Sequence, residues 1–331
     1  FGKTMVQTNL AMLVPFLIAT TLAFPQVILA SSSYELPKFT SSSKYFGQSD
    51  TDIDVSKVNV SDNFGLINKY SWKDVIDSLS DNEKLFYIQR HGEGWHNIAP
   101  QNFSSADWDC YWQLQPGRDG VVWEDAELTP NGVQQIEKLS HQIQTTKNLP
   151  WPVKYFTSPL RRTLQTWELT WKDLKHETPL IKELARETYG IQTESKRHNK
   201  TYIHTNWPIF EFEKGFTEDD ELWKPNKRET GQHRKYRAAA LLTGIFDQTS
   251  TDDKVISLVS HSGLIGSILE VVGHRDYPIA TGSLIPVIIH KKKKKTITYD
   301  LDKPDKTYAD ICPSPPALIS GAPSHYSTIA E

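Results

Sequence analysis

Three short stretches of the 331-residue chain set arginine and histidine beside glycine or serine: Arg90-His91-Gly92, Ser158-Pro159-Leu160-Arg161-Arg162 and Ser260-His261-Ser262-Gly263. Each follows an apolar run of strand character, Leu85 to Ile88, Val153 to Phe156 and Val255 to Val259. In an open parallel sheet the carboxyl ends of such strands lie along one edge, where α/β proteins bind ligands. Two histidines and two arginines would therefore converge there. Guanidinium groups keep their charge and grip phosphoryl oxygens in pairs, and Gly92 and Gly263, each beside a histidine, would let the backbone approach an anion closely. The pocket is electropositive without any metal. His91 and His96 are five residues apart with no further clustered ligand, which is not a zinc spacing, so the sequence calls for no metal and no organic cofactor. Glu93 reads as a pocket lining and His96 as a structural histidine.

The elements that must carry these residues follow from periodicity. Between the apolar runs, and before a fourth at Leu284 to Ile289, lie helical patterns. In one, Thr129 reads as the N-cap, Pro130 stands in the first turn, and Val133, Ile136, Leu139 and Ile143 share a face. Further helices are expected over Leu160 to Trp171, Arg234 to Phe246 and Leu264 to Val272. Strands alternating with helices imply an α/β fold, a three-layer αβα sandwich with a mostly parallel sheet. Regular structure is expected to begin near Trp72, after an extended lead-in over residues 31–71 rich in Ser, Asp and Asn. From about 187 to 233 charges, aromatics and prolines replace the periodicity, which reads as an inserted cap over a site. The run Lys291 to Lys295 reads as a solvated hairpin connection.

With 38% hydrophobic residues the chain can bury a full core. A formal charge of -3 asks for neither nucleic acid nor an anionic membrane surface as partner. Leu10 to Ala30 carries no charge and is followed by Ser31 to Ser33, the shape of a secretory signal over residues 1–30. A membrane association is expected only if that segment stays on as a signal anchor. The sequons at Asn59, Asn102 and Asn199 agree with the secretory pathway, with a secreted, cell-wall or vacuolar protein as the outcome and a cytoplasmic one as the alternative. Cys110 and Cys312 are the only cysteines, free either to pair or to stand as separate thiols.

Three of these blocks, "RHGEGWHN", "SPLRRTLQT" and "SHSG", together resemble the histidine phosphatase superfamily, which includes the cofactor-dependent phosphoglycerate mutases. "WDCYW", "EDAELTPNG", "ELARETYG", "TEDDELWKPNKRET" and "SLVSHSGLIGSIL" extend the resemblance to a fungal branch of phosphoglycerate-mutase-like proteins, over about Trp72 to Val287. The resemblance implies a histidine phosphatase domain over 72–331. His91 would be the nucleophile that becomes phosphohistidine, and Arg90 and Arg162 would grip the phosphoryl oxygens. A protonated His261 would complete the pocket, Asn97 would add a hydrogen bond, and Gly92 and Ser262 would line the substrate site. Glu187 in "LARETYG" would be the proton donor, with Glu213, Asp219 and Asp220 as competitors. The implied partner is a small phosphorylated substrate. Lys196, Arg197, Lys200, Lys227 and Arg228 are candidate contacts for a polyanionic one, and Trp95, Trp207, Phe210, Phe212 and Trp223 are either substrate contacts or packing.

Where the mutases carry "ERHYG" this chain reads "RETYG", a difference in order and spacing that favours hydrolysis over mutase transfer. All four pocket residues, Arg90, His91, Arg162 and His261, are present, which speaks against a catalytically silent phosphate-binding protein.

Overall fold

The computed structural model describes residues 33–301 and 311–316. The proposed signal, residues 1–30, lies outside them. In chain order the elements are β1 (Ser33–Ser41), α1 (Trp72–Asp77), β2 (Glu83–Arg90), α2 (Trp95–Ile98), α3 (Ser105–Cys110), β3 (Gly117–Arg118), β4 (Val121–Val122) and α4 (Pro130–Thr145). They continue with β5 (Lys154–Thr157), α5 (Arg161–Trp171), β6 (Leu180–Ile181), α6 (Lys200–Asn206), β7 (Glu211–Phe212), α7 (Gly231–Asp247), β8 (Val255–Ser260), α8 (Ser262–Val271) and β9 (Leu284–Asp300).

Seven strands form one sheet in the order β1-β9-β2-β8-β5-β6-β7. The block from β2 to β7 is parallel, while β9 runs antiparallel to both β2 and β1. Strand β2 shows why the sheet must be covered twice. Leu85 and Tyr87 pack with Leu139 and Ile143 of α4 and Trp167 and Trp171 of α5. Their neighbours Phe86 and Ile88 pack on the opposite face with Leu241 and Ile245 of α7 and Leu264 and Ile268 of α8. Alternate side chains of a strand point to opposite faces, so a strand apolar at four successive positions, Leu85 to Ile88, needs helices on both sides. The expected three-layer αβα architecture is what the chain adopts.

Helix α4 starts as its sequence prescribes. The Thr129 hydroxyl accepts from the Gly132 N–H at 3.0 Å, Pro130 occupies the first turn, and Ile136, Leu139 and Ile143 are buried. Strand register then aligns the three chemistry-bearing ends: Arg90 is paired with Ser260, and Thr157 with Val259. His91, Ser158 and His261 consequently leave the sheet at one level.

Four expectations need correction. The lead-in is part of the core, because β1 closes the sheet edge against β9 and Tyr45, Phe46, Phe64 and Leu66 are buried in the main cluster. Polar residues on the open face of β1, together with Pro37, hide its strand character. The run Lys291 to Lys295 is no hairpin, since β9 continues through it. Phe39 pairs with Lys291 and Pro37 with Thr296, so the lysines form a bulge, with Lys294 at φ 57°. The segment 187–233 is less irregular than expected, holding α6 and the strand β7. Asn102 is buried, with its amide donating to the Ala99 carbonyl, so that sequon has no room for a glycan, whereas Asn59 and Asn199 are exposed. Cys110 and Cys312 are joined in a disulfide, with Cα atoms 5.1 Å apart. Among the described residues no helix is long and apolar enough to cross a membrane.

Candidate active site

His91 is the first residue beyond β2 and is 2% exposed. Its backbone is held on both sides, the N–H donating to the Ser260 carbonyl at 3.1 Å and the carbonyl accepting from Gly282 N–H at 2.9 Å. The ring is fixed as well, with Nδ1 2.7 Å from the Gly92 carbonyl. A carbonyl only accepts, so Nδ1 carries the proton and the Nε2 lone pair is left available. Burial, then the charge of Arg162 and that of Arg90, hold the ring well below the ordinary histidine range, against the opposite pull of the Gly92 carbonyl. His91 is thus a neutral, oriented imidazole.

Two arginines flank it. Arg162, in the first turn of α5 and fully buried, donates from Nη1 to the Glu194 carbonyl and from Nη2 to Glu194 Oε2, both at 2.8 Å. Arg90 donates from Nη1 to the Ile279 carbonyl at 2.9 Å. In both side chains Nε is buried and has no hydrogen-bond partner. A buried donor without an acceptor costs about 1–3 kcal/mol, so two of them beside one imidazole point to an anion whose oxygens take both.

His261 and His96 complete the cluster, with ring centroids 5.1 and 5.2 Å from that of His91. His261 Nε2 lies 2.8 Å from Ser158 Oγ, and its Nδ1 is buried without a partner. Burial, Arg162 and the neighbouring His91 and His96 hold it well below the ordinary range. Burial first, and then the positive charges around it, disfavour the protonated form of His261 that was expected. His96 is not a satisfied structural histidine. Its Nδ1 is buried and unpartnered, and the same surroundings keep it neutral.

Glu187 sits against the start of α8. Its Oε2 accepts from the Gly263 N–H at 3.0 Å and lies 3.4 Å from Ser262 Oγ, while Oε1 accepts from the Thr188 N–H at 2.9 Å. Helix α8 has no side-chain cap from its own N-cap residue, His261, and the Glu187 carboxylate supplies one. Burial alone would raise this carboxyl. The two N–H donors and the charges of Arg162 and Arg234 prevail and hold it below the usual carboxylate range. The resting Glu187 is ionised, whereas a proton donor was expected to be neutral. Two of the competitors are engaged elsewhere, Glu213 accepting from Glu183 N–H and pairing with Lys182, and Asp220 pairing with Arg186, while Asp219 is exposed.

Other expected residues take supporting positions. Gly92 admits a neighbouring helix, not a ligand. A Cβ there would lie 2.6 Å from the Gly132 carbonyl oxygen of α4, and its N–H donates to Thr166 Oγ1. Asn97 Oδ1 accepts from the Gly94 N–H and so holds the turn that carries His96. Ser262 is exposed at the rim. Glu93 accepts from Thr129 Oγ1 at 2.7 Å and steadies the start of α4.

Within the 187–233 segment, Arg197 is buried on Glu183 and on carbonyls, and Trp207 and Phe210 belong to the core. Lys196 pairs with Glu124, Lys200 lies over the Phe212 ring, and Arg228 donates to the Thr188 and Gly190 carbonyls. Trp223 donates from Nε1 to the Gln192 carbonyl. Glu194 and Ser158 were not assigned a role from sequence. Glu194 stands in the aperiodic segment with nothing to mark it, while Ser158 lies two residues ahead of Leu160 inside the "SPLRR" block and had only that position as a signal.

Comparison with known proteins adds independent findings. A family model described as the histidine phosphatase superfamily (branch 1) matches residues 112–295, a stretch that holds Arg162, Glu187 and His261 and begins past Arg90 and His91. The chain is 58% identical over 298 residues to "Phosphomutase-like protein 3" of Candida albicans, covering 90% of this chain and 94% of that protein. It is 33% identical over 257 residues to "Probable phosphoglycerate mutase PMU1" of Saccharomyces cerevisiae, covering 69% and 87%. Among solved structures it is similar to a phosphoserine phosphatase from Entamoeba histolytica in complex with 3-phosphoglyceric acid, with 21% identity and a TM-score of 0.35 over 61% of this chain and 88% of that one.

Proposed function

We propose, from the premise that this chain belongs to the histidine phosphatase superfamily and to its fungal phosphoglycerate-mutase-like branch, that it hydrolyses phosphomonoesters through a phosphohistidine on His91, without a metal. One observation carries the reading: the unprotonated Nε2 of a buried His91 stands among buried arginine Nε donors that have no acceptor.

In the first step His91 Nε2 attacks phosphorus in line with the leaving oxygen, the N–P bond forming as the P–O bond breaks. Arg90, Arg162 and His261 hold the equatorial oxygens, so positioning and charge carry most of the rate. The leaving alkoxide needs a proton, and Glu187 supplies it. A phosphate dianion arriving beside Glu187 opposes its ionisation and raises its affinity for a proton. With substrate bound, the carboxyl therefore takes up from solvent the proton that it lacks at rest and later passes to the leaving oxygen. In the second step Glu187, now a carboxylate, takes a proton from water as the water oxygen attacks phosphorus, releasing phosphate and restoring His91.

Phosphoryl transfer of the phosphoglycerate mutase type is the second reading, favoured by the names of the fungal relatives. We further propose residence in the secretory pathway. The apolar Leu10 to Ala30 stretch, the Cys110–Cys312 disulfide and the exposed sequons at Asn59 and Asn199 support it. The test is p-nitrophenyl phosphate turnover from pH 4 to 8 in EDTA, for the intact protein and His91→Ala. Hydrolysis that resists EDTA and vanishes in the variant is expected, while activity surviving without His91 removes the mechanism.

A further inference from the structure

The two arginines beside His91 are held in different ways. Arg90 gives Nη1 to a neutral acceptor, the Ile279 carbonyl at 2.9 Å. Arg162 is met by a carboxylate. Its Nη2 donates to Glu194 Oε2 and its Nη1 to the Glu194 carbonyl, both at 2.8 Å, with the arginine side chain 0% and the glutamate side chain 11% exposed. One residue thereby closes on both terminal nitrogens of the guanidinium, and Nε is the nitrogen left buried without a partner.

The turn that carries Glu194 is fastened by its neighbours. The Asp125 N–H donates to the Thr193 carbonyl at 3.2 Å, Thr193 Oγ1 donates to the Gln115 carbonyl at 2.7 Å, and Arg186 Nη2 donates to the Ser195 carbonyl at 2.6 Å. None of these bonds uses the Glu194 side chain. The buried Asp125 also reaches the start of α5, its Oδ1 accepting from the Arg161 N–H at 2.9 Å. Asp125 therefore joins the turn to the helix end that bears Arg162, and the carboxylate and guanidinium meet across that joint. A change confined to the Glu194 side chain leaves the joint standing.

Charge gives this contact two consequences. A guanidinium shut away from water needs a counter-charge, and burial raises the Glu194 carboxyl while Arg162 is the first of the charges that oppose the rise. Each member of the pair keeps the other charged. A phosphate dianion brings a second negative charge to the same guanidinium, so Glu194 weakens the hold of the pocket on dianions, product phosphate included. The two-point hold also fixes the plane of the guanidinium, and Nε need not be ordered when a phosphoryl oxygen arrives.

We infer that Glu194 is a positioning residue for Arg162: it orients the guanidinium toward the phosphoryl group and tempers its charge so that phosphate can leave. The inference rests on the phosphohistidine reading proposed above and adds a residue that acts through Arg162.

Two variants separate reach from charge. Glu194→Gln keeps an oxygen within reach of Nη2 and removes the charge, whereas Glu194→Asp keeps the charge and withdraws it by one methylene. Phosphate binding is read by calorimetric titration with inorganic phosphate at pH 7.5, and kcat and KM with p-nitrophenyl phosphate. In Glu194→Gln the Kd for phosphate should fall about tenfold, with kcat changed by less than about threefold. In Glu194→Asp the Kd should move by less than about threefold, while kcat falls at least about tenfold. A merely structural role would lower the melting temperature without tightening phosphate binding. Phosphate bound no more tightly by Glu194→Gln than by the intact protein, or a kcat in Glu194→Asp within about threefold of the intact value, overturns the inference. If one variant fails to fold, the other decides. The titration needs no turnover, so the two layers separate. Hydrolysis that survives in His91→Ala removes the reading above while phosphate affinity still reports on Glu194. Hydrolysis abolished there, with the Glu194 variants unchanged, removes this inference alone.

Discussion

Replacing Glu229 with glutamine removes the counter-charge of a guanidinium that has no route to water. Arg237 and Glu229 side chains are each 1% exposed. Arg237 donates from Nε to Glu229 Oε1 at 2.7 Å and from Nη2 to Oε2 at 2.6 Å. Its remaining donors reach the carbonyls of Leu184, Arg186 and Glu187 at 2.9, 2.6 and 3.0 Å. The pair thereby fastens to α7 the backbone that presents Glu187. Burial alone would raise the Glu229 carboxyl. Arg237 and His233 prevail and bring it from 4.5 down to about 2. At about 1.4 kcal/mol per pH unit this difference is worth about 3 kcal/mol, and breaking a buried pair from one side costs about 3–5 kcal/mol. The folded-state value is depressed, so the stabilisation is complete above pH 4.5 and is lost as pH falls toward 2.

Urea denaturation at neutral pH should show Glu229→Gln less stable by about 3 kcal/mol, with the gap to the intact protein closing below pH 4. Glu229→Gln combined with Arg237→Met should cost less than the sum of the two single changes, since the stranded charge is gone. A single-variant cost under about 1 kcal/mol, or additive costs in the double variant, would refute the argument.

Two further outcomes follow from the site. In Gly263→Ala the new Cβ would stand 2.2 Å from Glu187 Oε1. The carboxyl must shift, and a misplacement near 1 Å costs about a hundredfold in kcat, with the melting temperature changed far less than in Glu229→Gln. The acid limb of kcat/KM, set by protonation of His91, should fall well below pH 6.5, because burial and the two arginines depress that ring. A limb at or above 6.5 would mean that His91 is not the buried, arginine-flanked nucleophile described here.

The parts of this site legible in the sequence are those that regular structure carries. Arg90-His91, Arg162 and Ser260-His261 each follow or open an element whose period is plain, and strand register does the converging. The chemistry of Glu187 was legible only in part. Its position follows from the family motif, but its ionisation depends on Gly263 and Thr188 N–H groups and on Arg234, which tertiary folding brings together. Glu194 and the bonds of the 187–233 segment stayed hidden for a related reason. That segment is ordered by buried ion pairs such as Arg186 with Asp220 and Arg197 with Glu183, and charge pairs leave no period in a sequence. Strand β1 and the lysine bulge of β9 stabilise each other across the sheet edge, so neither reads as a strand alone. Gly92 shows the reverse case, a residue rightly marked as needing close approach, with a helix in place of the ligand.

The central claim is that phosphorus becomes bonded to His91. The most direct measurement is to mix the protein with p-nitrophenyl phosphate labelled in the phosphoryl group, quench within one turnover, and map the labelled peptide. The account predicts label on the peptide carrying His91, stable to alkali and lost in acid, and absent from His91→Ala. Turnover that proceeds with no trapped label, or with label on any other residue, would contradict it.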